Sequence, residues 1–190
     1  MDTTGAVVER FRTRTTRARV APLLAILEHL TATIRQFDRQ LARLATTRYP
    51  VTAVLRQIPG VGPLTALTYV LTLEDPTRFR KSRMVGAYLG LRPKRRESGA
   101  QRPELSTTKA GDVFLRRHLV TAAQYILGPF GPDTDLRRWG LALAARGGRA
   151  AKKRTVVAVA RKLAVLLHRL WVTGEVYEPL GYQARAARVA

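Results

Sequence analysis

Leu55-Arg56-Gln57-Ile58-Pro59-Gly60-Val61-Gly62-Pro63-Leu64-Thr65-Ala66 runs from an apolar residue through a glycine-bearing turn into a second apolar segment. This is the pattern of a helix-hairpin-helix, predicted here over 55–74. Gly60 and Gly62 can take backbone angles closed to other residues and leave no side chain in the way. A backbone bared like this can set its N–H groups against a phosphate, beside the positive end of the next helix. Pro63 suits the first turn of that helix, where its missing N–H costs little. Two readings fit: a grip on a nucleic-acid backbone without base reading, or a tight corner between helices with no ligand.

Charge bears on that choice. The chain sets 34 Lys and Arg against 13 Asp and Glu in 190 residues, a formal net charge of +21. A domain carries such self-repulsion more readily when a polyanion neutralises it. Most of the basic residues are Arg, which grips phosphate with a two-pronged fork. An Arg excess also follows from a GC-rich genome, so the total charge carries the argument.

Hydrophobic residues make up 46% of the chain, enough to bury a core and to exclude wholesale disorder. The sequence has no Cys, which excludes disulfides and thiolate metal sites. No apolar run has the length of a membrane span, and the N-terminus lacks the apolar core of a signal peptide. The expectation is a soluble cytoplasmic protein with no membrane partner.

The predicted fold class is mostly α. Residues 1–21 read as a basic arm (Arg10, Arg12, Arg14, Arg17, Arg19) without an apolar face. Pro22 is expected to open a helix over 22–49. Its Leu23, Leu27, Leu30, Ile34, Phe37, Leu41 and Leu44 alternate spacings of four and three, a heptad seam. The seam fits a self-associating coiled coil, hence a homo-oligomer through residues 23–44, or an amphipathic helix packed on its own domain. A compact helical domain follows over 50–181, with a tail at 182–190. Within it, Ser82 is expected to cap a short helix. Residues 90–110, with two prolines and five basic residues before Ser106, read as a long basic loop or small hairpin. Further helices are predicted after Gly111, over about 135–146, and over about 151–173. The last places Val156, Val159, Ala160, Leu163, Leu166, Leu167, Leu170 and Trp171 on one broad stripe. Lys152, Lys153 and Arg154 crowd its start, where cations oppose the helix dipole and an anion would relieve the cost. A solvated surface explains them equally simply.

Ser98 is the hydroxyl that chemistry singles out. Gly99 follows it, and Arg92, Lys94, Arg95, Arg96 and Arg102 surround it in sequence. A serine attacking a phosphodiester needs cations around the phosphate to offset charge developing in the transition state. An ordinary loop serine is the plain alternative. Ser106, in a run of hydroxyls before a helix, reads more simply as capping.

From about Leu55 to Leu180 the chain closely resembles the C-terminal domain of the insertion-sequence 110/116/902 family transposases. The matching pieces are IPGVGPLTA (58–66), Arg78-Phe79, YLGLRP (88–93), ESG (97–99), TKAGDVFLRRHL (108–119), GPFGPDTDLRRWG (128–140) and VVAVARKLAVLLHRLWVTGEVYEPL (156–180). They occur in family order. The resemblance implies DNA transposition, a bacterial, nucleoid-associated setting, and a recombination nucleophile at Ser98. Glu97, Ala100 and Gln101 depart from the glycine- and lysine-bearing pattern of many members. Nucleic-acid contacts are expected at Gly60, Gly62, Arg92, Lys94, Arg95, Arg96, Arg102, Lys109, Arg116, Arg117, Lys152, Lys153 and Arg154. The implied partners are DNA and, for some members, a structured guide RNA. Family members also carry an N-terminal RNase-H-like domain with four metal-binding acidic residues. This sequence shows no such set, so no cofactor is expected on this chain, and Mg²⁺ only with that further domain. Asp2, Glu9, Glu74, Asp75, Asp133 and Asp135 are each better explained by solvation or capping.

Three other readings compete with this one. A non-catalytic nucleic-acid-binding remnant, or regulator of a full-length transposase, needs only the basic arm, the coiled coil and the hairpin. A tyrosine recombinase needs a Tyr nucleophile in an Arg/His constellation, and Tyr125 and Tyr177 lie in no such motif. A metal hydrolase through His118 and His168 has too few ligands.

Overall fold

The structure, a computed structural model, describes residues 14–94, 106–148 and 150–181. Among these, seven α-helices and one 3-10 turn form, in the order α1 (Arg14–Arg48), α2 (Thr52–Leu55), α3 (Pro63–Leu73), the 3-10 turn (Pro76–Arg78), α4 (Arg83–Tyr88), α5 (Val113–Leu127), α6 (Asp135–Ala145) and α7 (Ala151–Thr173). No strand is formed among the described residues. The chain divides into two units at Arg43–Leu44.

In the first unit, α1 begins at Arg14 and Pro22 lies inside it, rather than opening it as expected. A proline inside a helix removes its own N–H bond and crowds the carbonyl four residues back, at a cost of about 3 kcal/mol, which a helix of this length can carry. Once a helix exists, each further residue adds a bond for little nucleation cost. Leu23, Leu27, Leu30, Ile34 and Phe37 are all exposed along it.

The second unit is built around α7, which packs against α5, α6, α4, α2 and the 3-10 turn, while α3 packs against α2 and α5. The expected stripe is the buried face of α7: Val159, Ala160, Leu163 and Leu167 are fully enclosed, and Val156, Leu166 and Trp171 pack against them half-buried. Tyr69 of α3 reaches across the core, and its hydroxyl donates to the Ala164 carbonyl of α7 at 2.6 Å. Burial among apolar neighbours pushes the Tyr69 hydroxyl's pKa well above its ordinary value.

The helix ends follow local chemistry. Asp112 accepts from the Leu115 N–H at 2.6 Å and caps α5, and Thr134 accepts from the Arg137 N–H at 3.1 Å and caps α6. Ser82 does not cap α4. Its hydroxyl lies 3.0 Å from Nδ1 of His168, which is buried on α7 and whose Nε2 donates to the Pro76 carbonyl at 2.9 Å. The serine therefore ties α4 to α7, and the histidine ties both to the 3-10 turn. In α5, Phe114 is exposed and lies edge-on to His118 at 4.4 Å.

Candidate nucleic-acid interface

The glycine turn connects a single turn of helix, α2, to α3. Gly60 holds φ 86°, and a Cβ on it would lie 3.0 Å from the Tyr125 ring and 3.2 Å from the Ala122 carbonyl. The turn is thus seated on α5 on that side. Gly62 has open space around it and is exposed at the start of α3. The first intrahelical bond there is Ala66 N–H to the Gly62 carbonyl, so the N–H groups of Leu64 and Thr65 precede the bonded ladder.

The chain passes leading into and out of the Ser98 segment interlock. Gly90 holds φ 67°, and a Cβ on it would fall 2.2 Å from the Ala110 carbonyl oxygen. Gly111 holds φ 75°, and a Cβ there would fall 2.2 Å from the Tyr88 carbonyl oxygen. Only hydrogen fits at either position. Above this crossing the two passes pair. Lys109 N–H donates to Gly90 O at 3.1 Å, Thr108 N–H to Arg92 O at 2.9 Å, and Lys94 N–H to Ser106 O at 2.9 Å. Pro93 and Thr107 face each other as an isolated antiparallel bridge. Arg116 braces the crossing from α5, its Nη1 donating to Ala110 O at 2.8 Å and Leu89 O at 3.2 Å. Of the expected site residues, Ser98, Arg95, Arg96 and Arg102 lie outside the described residues.

Arg92 and Pro93, at the foot of that pairing, also form one wall of a cleft of about 880 Å³. Arg78, Phe79, Arg83 and Tyr88 line it from the 3-10 turn and α4, and Arg161 from α7. Sequence reading passed over Arg83, Tyr88 and Arg161. The interleaving of bases and aromatics in RFRKSR (78–83) and Tyr88 was the available signal for two of them. Arg161 required knowing which face of α7 meets α4. Arg154 and Arg161 are seven residues apart, two turns, and so share a face of α7. Lys152, Lys153, Arg117, Lys94 and Lys109 are exposed.

Several acidic side chains are engaged elsewhere. Asp75 accepts from the Thr77 hydroxyl and N–H, which hold its carboxyl below the ordinary range. Asp133 accepts from the Arg138 guanidinium at 2.9 Å, which lowers its pKa and raises that of Arg138. Glu74 pairs with Arg78 at 3.6 Å and Glu175 with Arg169 at 3.2 Å. Among the described residues no three His, Asp or Glu gather as a metal site. His118 and His168 sit on separate helices with separate partners. No described helix is long and apolar enough to cross a membrane.

Comparison with known proteins gives these features a context. A family model described as "Transposase IS116/IS110/IS902 family" matches residues 52–135. The transposase for insertion sequence element IS1111A of Coxiella burnetii is 36% identical over 124 residues, 65% of this chain and 33% of that protein. A probable family 20 transposase of Pseudomonas aeruginosa is 30% identical over 154 residues, 80% of this chain and 44% of that protein. The pilin gene-inverting protein of Moraxella lacunata is 25% identical over 141 residues, 72% of this chain and 42% of that protein. The chain therefore spans between a third and a half of the length of these curated relatives.

Proposed function

This chain belongs, through residues 52–135, to the IS116/IS110/IS902 transposase family, and from that premise we propose that it binds DNA and supplies Ser98 as the nucleophile of strand exchange. The observation that carries this reading is the pairing of Lys94 with Ser106 beside the arginine-lined cleft. Both ends of the Ser98 segment are fixed at one place on a rigid scaffold, next to permanently charged guanidinium groups. A nucleophile that must meet one phosphate needs such positioning, and the charge that develops on the phosphate needs cations nearby.

In the proposed step the Ser98 hydroxyl oxygen attacks the phosphorus, and its proton passes to solvent. The bond from phosphorus to the 3′ oxygen breaks, and that oxygen takes up a proton as a free 3′ hydroxyl. The strand is left joined to the protein as a phosphoserine. Attack by a 3′ hydroxyl from another strand reverses the step and reseals the DNA without net hydrolysis. The named relatives include transposases and a gene-inverting protein, and both kinds of rearrangement require breaking and rejoining of strands.

Ser98→Ala tests the reading. The substitution is expected to abolish a covalent protein–DNA adduct, read as a shifted band after denaturation, while leaving duplex affinity unchanged. An adduct that persists in the variant removes Ser98 from the role. No adduct with either protein, alongside salt-sensitive DNA binding, would favour the non-catalytic binding module.

A further inference from the structure

The role proposed for Ser98 leaves the neighbouring cleft without an occupant. We propose that it holds one unpaired nucleotide of the DNA strand being cut, with the base stacked on Tyr88 and the flanking phosphates on Arg83, Arg92 and Arg161. This rests on the reading of DNA and Ser98 given above.

Size and charge point the same way. A cleft of about 880 Å³ falls in the range of pockets that enclose a small ligand. It has room for one nucleotide, whereas a duplex lies against a surface. Among the described residues, four guanidinium groups line it and no carboxylate does. Guanidinium stays charged at any physiological pH and matches phosphate oxygens in pairs. Arg78 is the least free of the four: it donates to Leu73 O at 3.3 Å and pairs loosely with Glu74. It is better placed as a wall than as a phosphate ligand.

The aromatic side of the cleft is held in position before any ligand arrives. Tyr88 is 38% exposed, and Phe79 meets it edge-on at 5.3 Å between ring centres. Phe79 in turn is edge-on to buried His168 at 5.6 Å. The Arg78 guanidinium lies 5.8 Å from the Tyr88 ring centre, within cation–π range. A ring already fixed by its neighbours loses little freedom when a base stacks on it. Arg161 is placed by an absence: a Cβ on Gly86 would lie 2.8 Å from its Cγ, so the arginine stem occupies the space left by that glycine.

The nucleotide must be unpaired because stacking on a side chain needs a free base face, which a base inside a duplex does not offer. It must lie close to the reacting phosphate because of chain length. Ser98 is four residues beyond Lys94, and a fully extended chain spans at most about 14 Å over that distance. Arg92 and Pro93 in the cleft wall immediately precede Lys94. The cleft and Ser98 therefore act on the same few nucleotides.

The test measures fluorescence anisotropy of the full chain with a labelled oligothymidylate, a duplex of equal length and an oligouridylate. Tyr88→Leu is expected to weaken oligothymidylate binding about tenfold and leave duplex binding unchanged, whereas Tyr88→Phe keeps both. Arg83→Gln, at an exposed side chain, is expected to weaken oligothymidylate binding and flatten its salt slope by roughly 0.7 for each phosphate that is no longer neutralised. It decides the matter if melting shows Tyr88→Leu to be unfolded. Equal losses on duplex and single strand, or none on either, overturn the cleft assignment and leave the DNA-binding reading standing. A Tyr88-dependent preference for oligouridylate overturns it in favour of RNA. Failure of the unaltered chain to bind any of the three brings down the reading beneath it as well.

Discussion

Helices α1 and α7 carry apolar residues at similar spacings and meet opposite fates. On α7, Leu163 and Leu167 are fully enclosed, whereas on α1, Leu30 and Ile34 are 50% and 59% exposed. Periodicity fixes that a helix has an apolar face; it does not say what covers that face. For α7 the cover is α2, α4, α5 and α6, contributed by the same chain. For α1 the seam from Leu23 to Phe37 stays open in the single chain.

The contrast is easiest to break at its strongest point. Leu163→Ala empties a fully enclosed site and is expected to cost about 2–5 kcal/mol of unfolding free energy in a denaturant titration. A loss below about 1 kcal/mol would mean that the α7 face is far less tightly covered than the enclosure of Leu163 requires. Leu30→Gln removes an apolar group from an open face. Its expected effect on the stability of the single chain is within about 0.5 kcal/mol. Because the heptad spacing of that seam suits pairing between copies, the same variant is expected to lower the mass in solution. An unchanged mass would leave the seam to some other cover.

The smallest effect concerns charge. Arg138 holds the exposed Asp133 carboxyl below its ordinary pKa. A lowered folded-state pKa stabilises the fold above the unfolded-state value, and the gain is lost as pH falls through the folded-state value. Asp133→Asn is therefore expected to trim stability slightly at neutral pH and to leave acid stability, below the ordinary carboxylate range, unchanged. Melting temperatures at the two ends of the range check this, and a larger loss in acid would contradict the sign.

Much of the fold was legible from residues whose local chemistry decides their structure. The stripe on α7 and the bounds of α6 followed from spacing. Asp112 and Thr134, neither of them singled out in the sequence, each cap a helix because their side chains reach the free N–H groups of its first turn. Where tertiary partners decide, the sequence was silent. Ser82 is a plausible cap by type, yet the His168 ring, 86 residues away in sequence, takes its hydroxyl. Nothing near Gly60 in the sequence names its neighbour in space, the Tyr125 ring on α5. Proline at position 22 looked like a helix start, since nothing local tells an interior proline from a first-turn one. The cleft assembles Arg78, Arg92 and Arg161 from three places in the chain, and only packing against α7 brings them together.

The interlocked glycines at 90 and 111 separate two things that evolution usually has to change together. Because Lys94 and Ser106 are fastened to each other, the eleven residues between them form a closed span whose ends do not depend on what lies inside. Doubling such a span adds only about 0.6 kcal/mol of closure entropy. A change of length between 95 and 105 therefore costs the scaffold little in closure entropy. The length of that span can change while the crossing at Gly90 and Gly111, and the helices on either side of it, stay the same.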